Sequence, residues 1–253
     1  MPSPGTPDPP MAVHLLVDTG VDDALAVIAA ALHPAIGLAE VTVCAGNVPL
    51  RAVIGNTRLV LAVLAAHPDT AAGRCGATVA TSRGAAARWD GRPFAARTVH
   101  GQDGLAGLRA REGGDDSDRG TTPRLLRVTQ AAGTLVCVAP QTTLTWLRPG
   151  RVLVTYGREG EGNHDLDPDA ARQVAGTWSV SHAAAPPALT RHDLDDAWNS
   201  LTPTDRAEPL ARLVQALLRH QVDRGAGLGD ADAVLRLAGS TDPLGDLVDA
   251  LRR

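Results

Sequence analysis

The chain has 253 residues, a formal net charge of −4 and 44% hydrophobic residues. This size and composition suit one domain with a sizeable core, and the mild acidity argues against a nucleic-acid-binding surface. Only six residues are Trp, Tyr or Phe, so the core must consist mainly of Ala, Val and Leu. No run of residues has the length and apolarity of a membrane-spanning helix, so we expect no membrane partner.

Residues 1–11 are rich in proline and lack the basic-then-apolar pattern of a signal peptide. We predict a disordered tail there and a single α/β domain over residues 12–253. The three cysteines, Cys44, Cys75 and Cys137, do not have the spacing of a metal site. Because Cys44 and Cys137 lie in apolar, strand-like runs, we predict buried, unreactive thiols and a cytoplasmic protein.

The first predicted element is a buried strand over residues 12–17, which ends at Asp18. A turn at Gly20 leads into a helical pattern that begins at Val21 and carries Asp22 and Asp23 in its first turn. Such carboxylates can simply stabilise the positive end of the helix dipole. Clustered carboxylate oxygens are also what Ca²⁺ or Mg²⁺ requires, and the sequence alone leaves both interpretations open.

Alternating strands and helices continue along the chain. Strands are predicted at 37–45, 76–81, 133–138, 151–156 and 178–180, and helices at 50–66, 209–222 and 231–237. A short helix is predicted after Thr143, ending at Leu147, and another helix is predicted to begin at Pro168. Asp167 has the features of a helix N-cap, and residues 157–163 those of a tight polar loop. This order predicts an open, mostly parallel sheet flanked by helices, a Rossmann-like α/β fold.

Polar side chains follow several of these strands. They are Asp18, Asp22, Asp23, Asn47, His100, Asp103, Thr142, Glu161 and Asn163, and Asp230 precedes a late helix. Because loops at the carboxyl edge of a parallel sheet can converge on one crevice, we predict that these groups form one site. The acidic run at 115–118 does not have EF-hand spacing, and we interpret it as a solvated loop.

Five segments in this order resemble the inosine-uridine-preferring nucleoside hydrolase family. They are Asp-Thr-Gly-Val-Asp-Asp-Ala at 18–24, the Gly-Asn loop within 41–48, His-Gly-Gln-Asp-Gly-Leu at 100–105, Ala-Pro-Gln-Thr-Thr-Leu at 139–144, and Glu-Gly-Asn followed by Asp-Pro-Asp-Ala-Ala within 161–171. The resemblance extends from about Val13 to Leu237. It implies the nucleoside hydrolase fold and cleavage of the N-glycosidic bond of a ribonucleoside.

The resemblance also implies roles for single residues. Asp18, Asp23 and Asp230 would bind Ca²⁺ through their carboxylates, and Thr142 through its backbone carbonyl. Asp18 would also act as general base on a water molecule. His100 is the remaining imidazole that could reach the leaving base, and a role in ordering its loop is an equal alternative. The ribose hydroxyls would be bound by Asp22, Asn47, Glu161 and Asn163. Family members are commonly dimers or tetramers, so a homodimer or homotetramer is expected.

The chain also departs from the family pattern. Leu16 replaces the first Asp of the family motif, and Gly229 replaces a His that precedes the last metal-binding Asp. Residues of the leaving-group side are therefore altered, whereas the metal and ribose residues are mostly kept. Three hypotheses follow: a calcium-dependent nucleoside hydrolase, a diverged enzyme acting on a modified nucleoside or another ribosylated or cyclic substrate, and a non-catalytic ribose- or nucleoside-binding protein.

Overall fold

The structure is a computed structural model that describes residues 9–67, 79–94, 98–108, 133–147, 152–156, 162–184 and 186–252. In these residues six strands pair in parallel, in the order β3-β2-β1-β4-β5-β6. The strands are β1 Met11–Val17, β2 Ile36–Val43, β3 Ala80–Arg83, β4 Thr134–Cys137, β5 Val152–Tyr156 and β6 Val180–Ala183. The open parallel sheet predicted from the sequence is therefore confirmed.

The helices connect and flank these strands. They are α1 Val21–Leu32, α2 Leu50–Ala65, α3 Gly162–Leu166, α4 Pro168–Thr177, α5 Arg191–Asn199, α6 Pro203–Ala207, α7 Pro209–Asp223, α8 Asp230–Leu237 and α9 Pro243–Asp249. Short 3-10 helices occupy Thr98–His100 and Gln141–Trp146. Within the described part of the chain we find no helix with the length and apolarity that crossing a bilayer requires.

Side chains of β1 alternate between the two faces of the sheet, as the pleat demands. Leu15 and Val17 pack into a large cluster with residues of α1, α2, α7 and α8. Leu16 points to the opposite face and packs with Leu144 and Trp178 in a smaller cluster. Since β1 lies between β2 and β4, its carboxyl end is the point where successive strands leave in opposite directions, which is where open α/β sheets bind ligands.

Several boundaries differ from the sequence expectation. β1 begins at Met11, the last residue of the predicted tail, because its N–H donates to Ala35 O at 2.8 Å. Asn163 lies in α3 rather than in a loop. The last strand begins at Val180 rather than Trp178, because the Trp178 N–H still caps α4. Cys44 and Cys137 are buried as expected, whereas residues 1–8, Cys75 and the 115–118 run lie outside the described residues.

Candidate active site

The turn between β1 and α1 is closed by the carboxylate of Asp23. Its Oδ1 accepts the N–H of Asp18 at 3.1 Å, and its Oδ2 accepts the N–H of Gly20 at 2.8 Å. These are N–H groups at a helix start that have no partner within the helix, so the carboxylate stabilises the turn. Asp23 therefore does stabilise the start of α1, and the two hydrogen bonds fix the orientation of its carboxylate.

The loop after β2 binds the same turn. Asp18 Oδ2 accepts the N–H of Asn47 at 2.6 Å, and Asn47 Nδ2 donates to Asp23 Oδ2 at 3.4 Å. A side chain at residue 46 would place its Cβ 2.0 Å from Asp18 Oδ2, so glycine is required for this approach. The exits of two adjacent strands are thus joined through one buried carboxylate.

His100 reaches this turn from the Thr98–His100 helix. Its Nδ1 accepts the N–H of Val21 at 3.3 Å and lies 3.6 Å from Asp22 Oδ1. In a neutral ring the proton must then be on Nε2, a tautomer assigned here from the hydrogen bond. The ring also packs on Gly20, where an added Cβ would lie 2.9 Å from its Cγ. His100 therefore helps to order the loop between β1 and α1.

Asp230 is brought to the site by the packing of α8 on α1, through buried residues such as Val234 and Leu25. It is the first residue of α8, next to Gly229 as N-cap. Ligand atoms of Asp22, Asp23 and Asp230 all lie within 4.8 Å of one another. Residues 207 positions apart in the sequence thus form one acidic cluster.

A cavity of about 180 Å³ opens above this cluster. Among the described residues, six of the predicted site residues line it, and Val99, Gly162 and Arg224 complete the wall. The six are Asp22, Asp23, Asn47, His100, Asn163 and Asp230. The structure therefore brings most of the predicted set to one place at the carboxyl edge of the sheet.

Four predicted residues are not part of the described cavity lining. Asp103 is one of them, and its Oδ1 accepts the N–H groups of Leu105 and Gly107, both at 2.9 Å. Asp18 is fully buried beside the cavity and does not contribute to its described lining. Thr142 is also buried, and its carbonyl oxygen accepts the Thr145 hydroxyl at 2.7 Å. Glu161 lies outside the described residues. Among the described carboxylates, Asp22 rather than Asp18 joins Asp23 and Asp230 in this cluster.

Thr142 and Asn163 are tied to neighbouring elements. The Thr142 hydroxyl donates to Asp167 Oδ2 at 2.5 Å, and the same carboxylate oxygen accepts the Trp89 N–H at 2.6 Å. Asn163 Nδ2 donates to the carbonyl of Val138. Asp167 is therefore more than the N-cap that the sequence predicts, because it connects α4 to two loops near the site.

The acidic cluster is electrostatically unfavourable without a cation. The pKa of Asp23 is raised well above its ordinary value, first by burial and then by the charges of Asp18 and Asp22. The pKa of Asp230 is raised by burial and then by Asp22, Asp23 and Asp18. An all-oxygen set of buried, mutually repelling carboxylates suits a hard cation such as Ca²⁺ or Mg²⁺. The donor chemistry of these residues thus fits the expected metal.

Gly229 leaves no room for a side chain. Its φ is 59°, in the left-handed region, and an added Cβ would lie 2.8 Å from the Cβ of Asp22. The sequence identified this residue as a departure from the family pattern. The structure adds the reason why a larger residue is excluded here, since Asp22 occupies the adjacent space.

Val99 and Arg224 were not predicted from the sequence. Arg224 follows α7 as its C-cap, and Val99 belongs to the Thr98–His100 helix. Neither is part of a recognisable motif. A lone arginine after an amphipathic helix is typical of a solvated helix end, so only the tertiary structure places it at the cavity.

Comparisons with known proteins identify the family and the fold. The sequence model of the inosine-uridine preferring nucleoside hydrolase family matches residues 13–148. None of the curated proteins matches the sequence.

Several solved structures share the fold. A purine-preferring ribonucleoside hydrolase from Gardnerella vaginalis has a TM-score of 0.66 and 20% identity, covering 90% of this chain and 79% of its own. A plant nucleoside hydrolase has a TM-score of 0.62 and 20% identity, and the match covers 91% of this chain and 79% of the plant protein. An inosine-guanosine nucleoside hydrolase has a TM-score of 0.61 and 18% identity, and the match covers 88% of this chain and 77% of that protein. At these identities the likeness establishes the fold.

Proposed function

Because the chain belongs to the inosine-uridine preferring nucleoside hydrolase family, we propose that it hydrolyses the N-glycosidic bond of a ribonucleoside at a calcium site formed by its acidic cluster. The observation that carries this proposal is the convergence of Asp22, Asp23 and Asp230 at the floor of a cavity that Asn47, His100 and Asn163 also line. Nucleoside hydrolysis needs a bound diol and an activated water molecule, and this arrangement has groups suited to both.

Asp23 and Asp230 would hold the ion, with Asp22 and Asp18 beside them. When bound, Ca²⁺ supplies a hard Lewis acid that chelates vicinal hydroxyls and lowers the pKa of a water molecule. Asp18 is suited to accept a proton from the attacking water, because the Asn47 N–H fixes its carboxylate at 2.6 Å. We also retain Thr142 as a carbonyl ligand in this proposal, since a carbonyl oxygen has a second lone pair beside the Thr145 bond.

The sugar would be oriented by side chains around the cluster. Asp22 and Asn47, which line the cavity, would accept and donate hydrogen bonds with ribose hydroxyls. Asn163, which also lines the cavity, and Glu161 would bind the other side of the sugar. Cleavage of a glycosidic bond passes through an oxocarbenium-like sugar, which carries positive charge. A carboxylate-rich pocket stabilises that charge, and a fixed sugar lowers the entropic cost of reaching it.

His100 is our candidate for the donor to the leaving base. Its Nδ1 is engaged by the Val21 N–H, so Nε2 carries the proton in the neutral ring. Gly229 cannot supply a donor, because no side chain fits beside Asp22. This observation favours the second candidate function, a diverged biosynthetic enzyme on the same scaffold that acts on a modified nucleoside or another ribosylated or cyclic substrate.

The proposal is tested by metal analysis of purified protein together with base release from a panel of purine and pyrimidine nucleosides. We expect stoichiometric calcium and turnover that falls at least ~100-fold in Asp18→Asn, the size of effect typical for a general base. Asp195→Asn, an exposed change on α5, is the control and should retain activity. Calcium binding without turnover of common nucleosides supports the diverged enzyme, and ligand binding without any turnover supports a binding protein. Full activity of Asp18→Asn contradicts the mechanism.

A further inference from the structure

Arg224 lies at the mouth of the cavity, in the loop that connects α7 to α8. The loop is held in place by backbone and side-chain bonds: Ala226 N–H donates to Gln221 O at 2.9 Å, and Gln221 Nε2 donates to Gly227 O at 3.1 Å. Gly225 adopts a φ of 65°, which ends the helix. The position of Arg224 is therefore set by a well-bonded helix end.

The guanidinium of Arg224 forms no ion pair or hydrogen bond within the described part of the chain, although it lines the same cavity as three carboxylates. Other arginines near this region are paired, as in Arg191 with Asp223 at 2.8 Å and Arg236 with Asp232 at 2.7 Å. Arg224 is exposed to solvent. Its positive charge is therefore not neutralised by a described carboxylate, and it belongs to a residue that lines the cavity.

Arg224 lines the cavity together with Val99 and His100. His220, one turn earlier on α7, donates from Nε2 to the Val99 carbonyl at 2.9 Å, which joins the end of α7 to the Thr98–His100 helix. Asn163 is held elsewhere in the lining, because its Nδ2 donates to the Val138 carbonyl at the end of β4. Arg224 thus lies near the Thr98–His100 helix, whereas Asn163 is bonded to a different part of the site.

The size of the cavity places part of the substrate at this wall. Its volume of about 180 Å³ is below the ~300–1,000 Å³ of sites that enclose a whole drug-sized ligand. If the ribose sits on the acidic cluster, the remaining part of the substrate must extend to the mouth. There an anion would meet repulsion from the carboxylates unless a cation is present, and Arg224 is the cationic group in the described lining.

We propose that Arg224 is a specificity-determining residue that binds an anionic group of the substrate, either a carboxylate on the leaving base or a phosphate on the ribose. This inference rests on the proposed function. A guanidinium binds carboxylates and phosphates through two parallel hydrogen bonds, and it does not release a proton at physiological pH. Arg224 therefore recognises the substrate and does not act as the leaving-group acid.

Two matched substrates allow anion binding by Arg224 to be measured separately from protonation of the leaving base. In nicotinate riboside and nicotinamide riboside, water adds its oxygen to C1′ while the C1′–N bond breaks. The bonding electron pair passes to the pyridinium nitrogen, which leaves as a neutral pyridine and needs no proton. One water proton passes to Asp18 and then to solvent. The two compounds differ only in that nicotinate riboside has a carboxylate where nicotinamide riboside has a carboxamide. The 5′-mononucleotide of each compound carries an additional phosphate on the ribose.

The experiment compares kcat/KM and calorimetric Kd for these four compounds in the wild type, Arg224→Met and Arg212→Met, all with calcium. Arg212 is an exposed arginine on the same helix and lies outside the cavity lining, so it controls for loss of surface charge. We expect the wild type to prefer the anionic member of a pair by about 10- to 100-fold, the effect of a charge-assisted hydrogen bond. The preference should vanish in Arg224→Met, chiefly through KM, and persist in Arg212→Met.

If Arg224→Met loses the preference for the carboxylate, the anion that Arg224 binds is on the leaving base. If it loses the preference for the phosphate, the anion is on the ribose. Equal handling of charged and uncharged members by the wild type, or the same preference in Arg224→Met, overturns the proposal. Asp18-dependent hydrolysis of the uncharged riboside supports the proposed function whatever Arg224 does. If nothing is hydrolysed, the proposed function fails, and the Kd values still decide whether Arg224 binds the anion.

Discussion

An ideal Cβ built on Gly229 would lie 2.8 Å from the Cβ of Asp22, so the N-terminus of α8 and the first turn of α1 meet without space for a side chain. We predict that Gly229→Ala displaces Asp22 and weakens calcium binding by at least ~10-fold, which corresponds to about 1.4 kcal/mol. Calcium titration by calorimetry measures this. The control is Gly239→Ala, where φ is also positive but no atom lies within 4 Å. Both variants should lose ~1–2 kcal/mol of stability, because alanine is strained at a positive φ. Equal calcium affinities of Gly229→Ala and Gly239→Ala would contradict the prediction.

Asp230 is buried among like charges, so neutralising it should help the metal-free fold. We predict that Asp230→Asn raises the melting temperature in excess chelator, because burial and the neighbouring carboxylates disfavour its charged form. In the wild type, calcium at 100 times its Kd should add about 2.7 kcal/mol, or roughly 5–11 °C. In Asp230→Asn this gain should be largely lost. Thermal denaturation with and without calcium tests both statements, with Asp195→Asn as the control.

The same repulsion sets a pH dependence for the metal-free protein. Asp23 and Asp230 have pKa values above those of the unfolded chain, so the folded state binds protons more tightly. Their contribution to stability therefore falls as pH rises from the unfolded pKa near 4 through the raised folded values. The free energy of unfolding of the wild type, minus that of Asp230→Asn, should therefore decrease as the pH is raised from 5 to 8. Urea unfolding in chelator measures this difference, and a constant difference would refute the argument.

The Cys137 thiol should be inert in the folded protein. Burial raises its pKa to about 12, and burial also raises the pKa of Cys44. At pH 8 only ~10⁻⁴ of the Cys137 thiol is then the reactive thiolate. We expect iodoacetamide to leave both residues unmodified in a Cys75→Ser background until denaturant is added, as followed by mass spectrometry. Rapid alkylation in native buffer would show that the two strand ends open.

Asp167 connects three segments, so its removal should cost more than the loss of an ordinary cap. It accepts N–H groups from Ala170 and Trp89 and the hydroxyl of Thr142. We predict that Asp167→Ala lowers the free energy of unfolding by about 2–4 kcal/mol, since the cap and a buried donor both lose their partner. Asp242→Ala is the control. It removes only the exposed cap of α9 and should cost ~0.5–2 kcal/mol.

Much of this protein was determined by its sequence alone. The apolar run before Asp18 and the helical period after Val21 predict a strand and a helix, because each is governed by backbone hydrogen bonds and a short repeat. The Asp167 cap follows from a local rule of the same kind, which the structure bears out. Parallel connections then require the polar strand exits to lie at one edge, so the convergence of Asp22, Asn47 and His100 was also predictable.

Other features were decided only by the tertiary structure. Asp18 is fully buried and accepts the Asn47 N–H, which joins two strand exits. Asn163 belongs to a helix, and its side chain donates to the Val138 carbonyl at the end of β4. Arg224 reaches the cavity because α7 and α8 pack on α1, a contact between residues about 200 positions apart. Local patterns specify which face of an element is apolar. They do not specify which side chains meet across elements, because that depends on packing between distant parts of the chain.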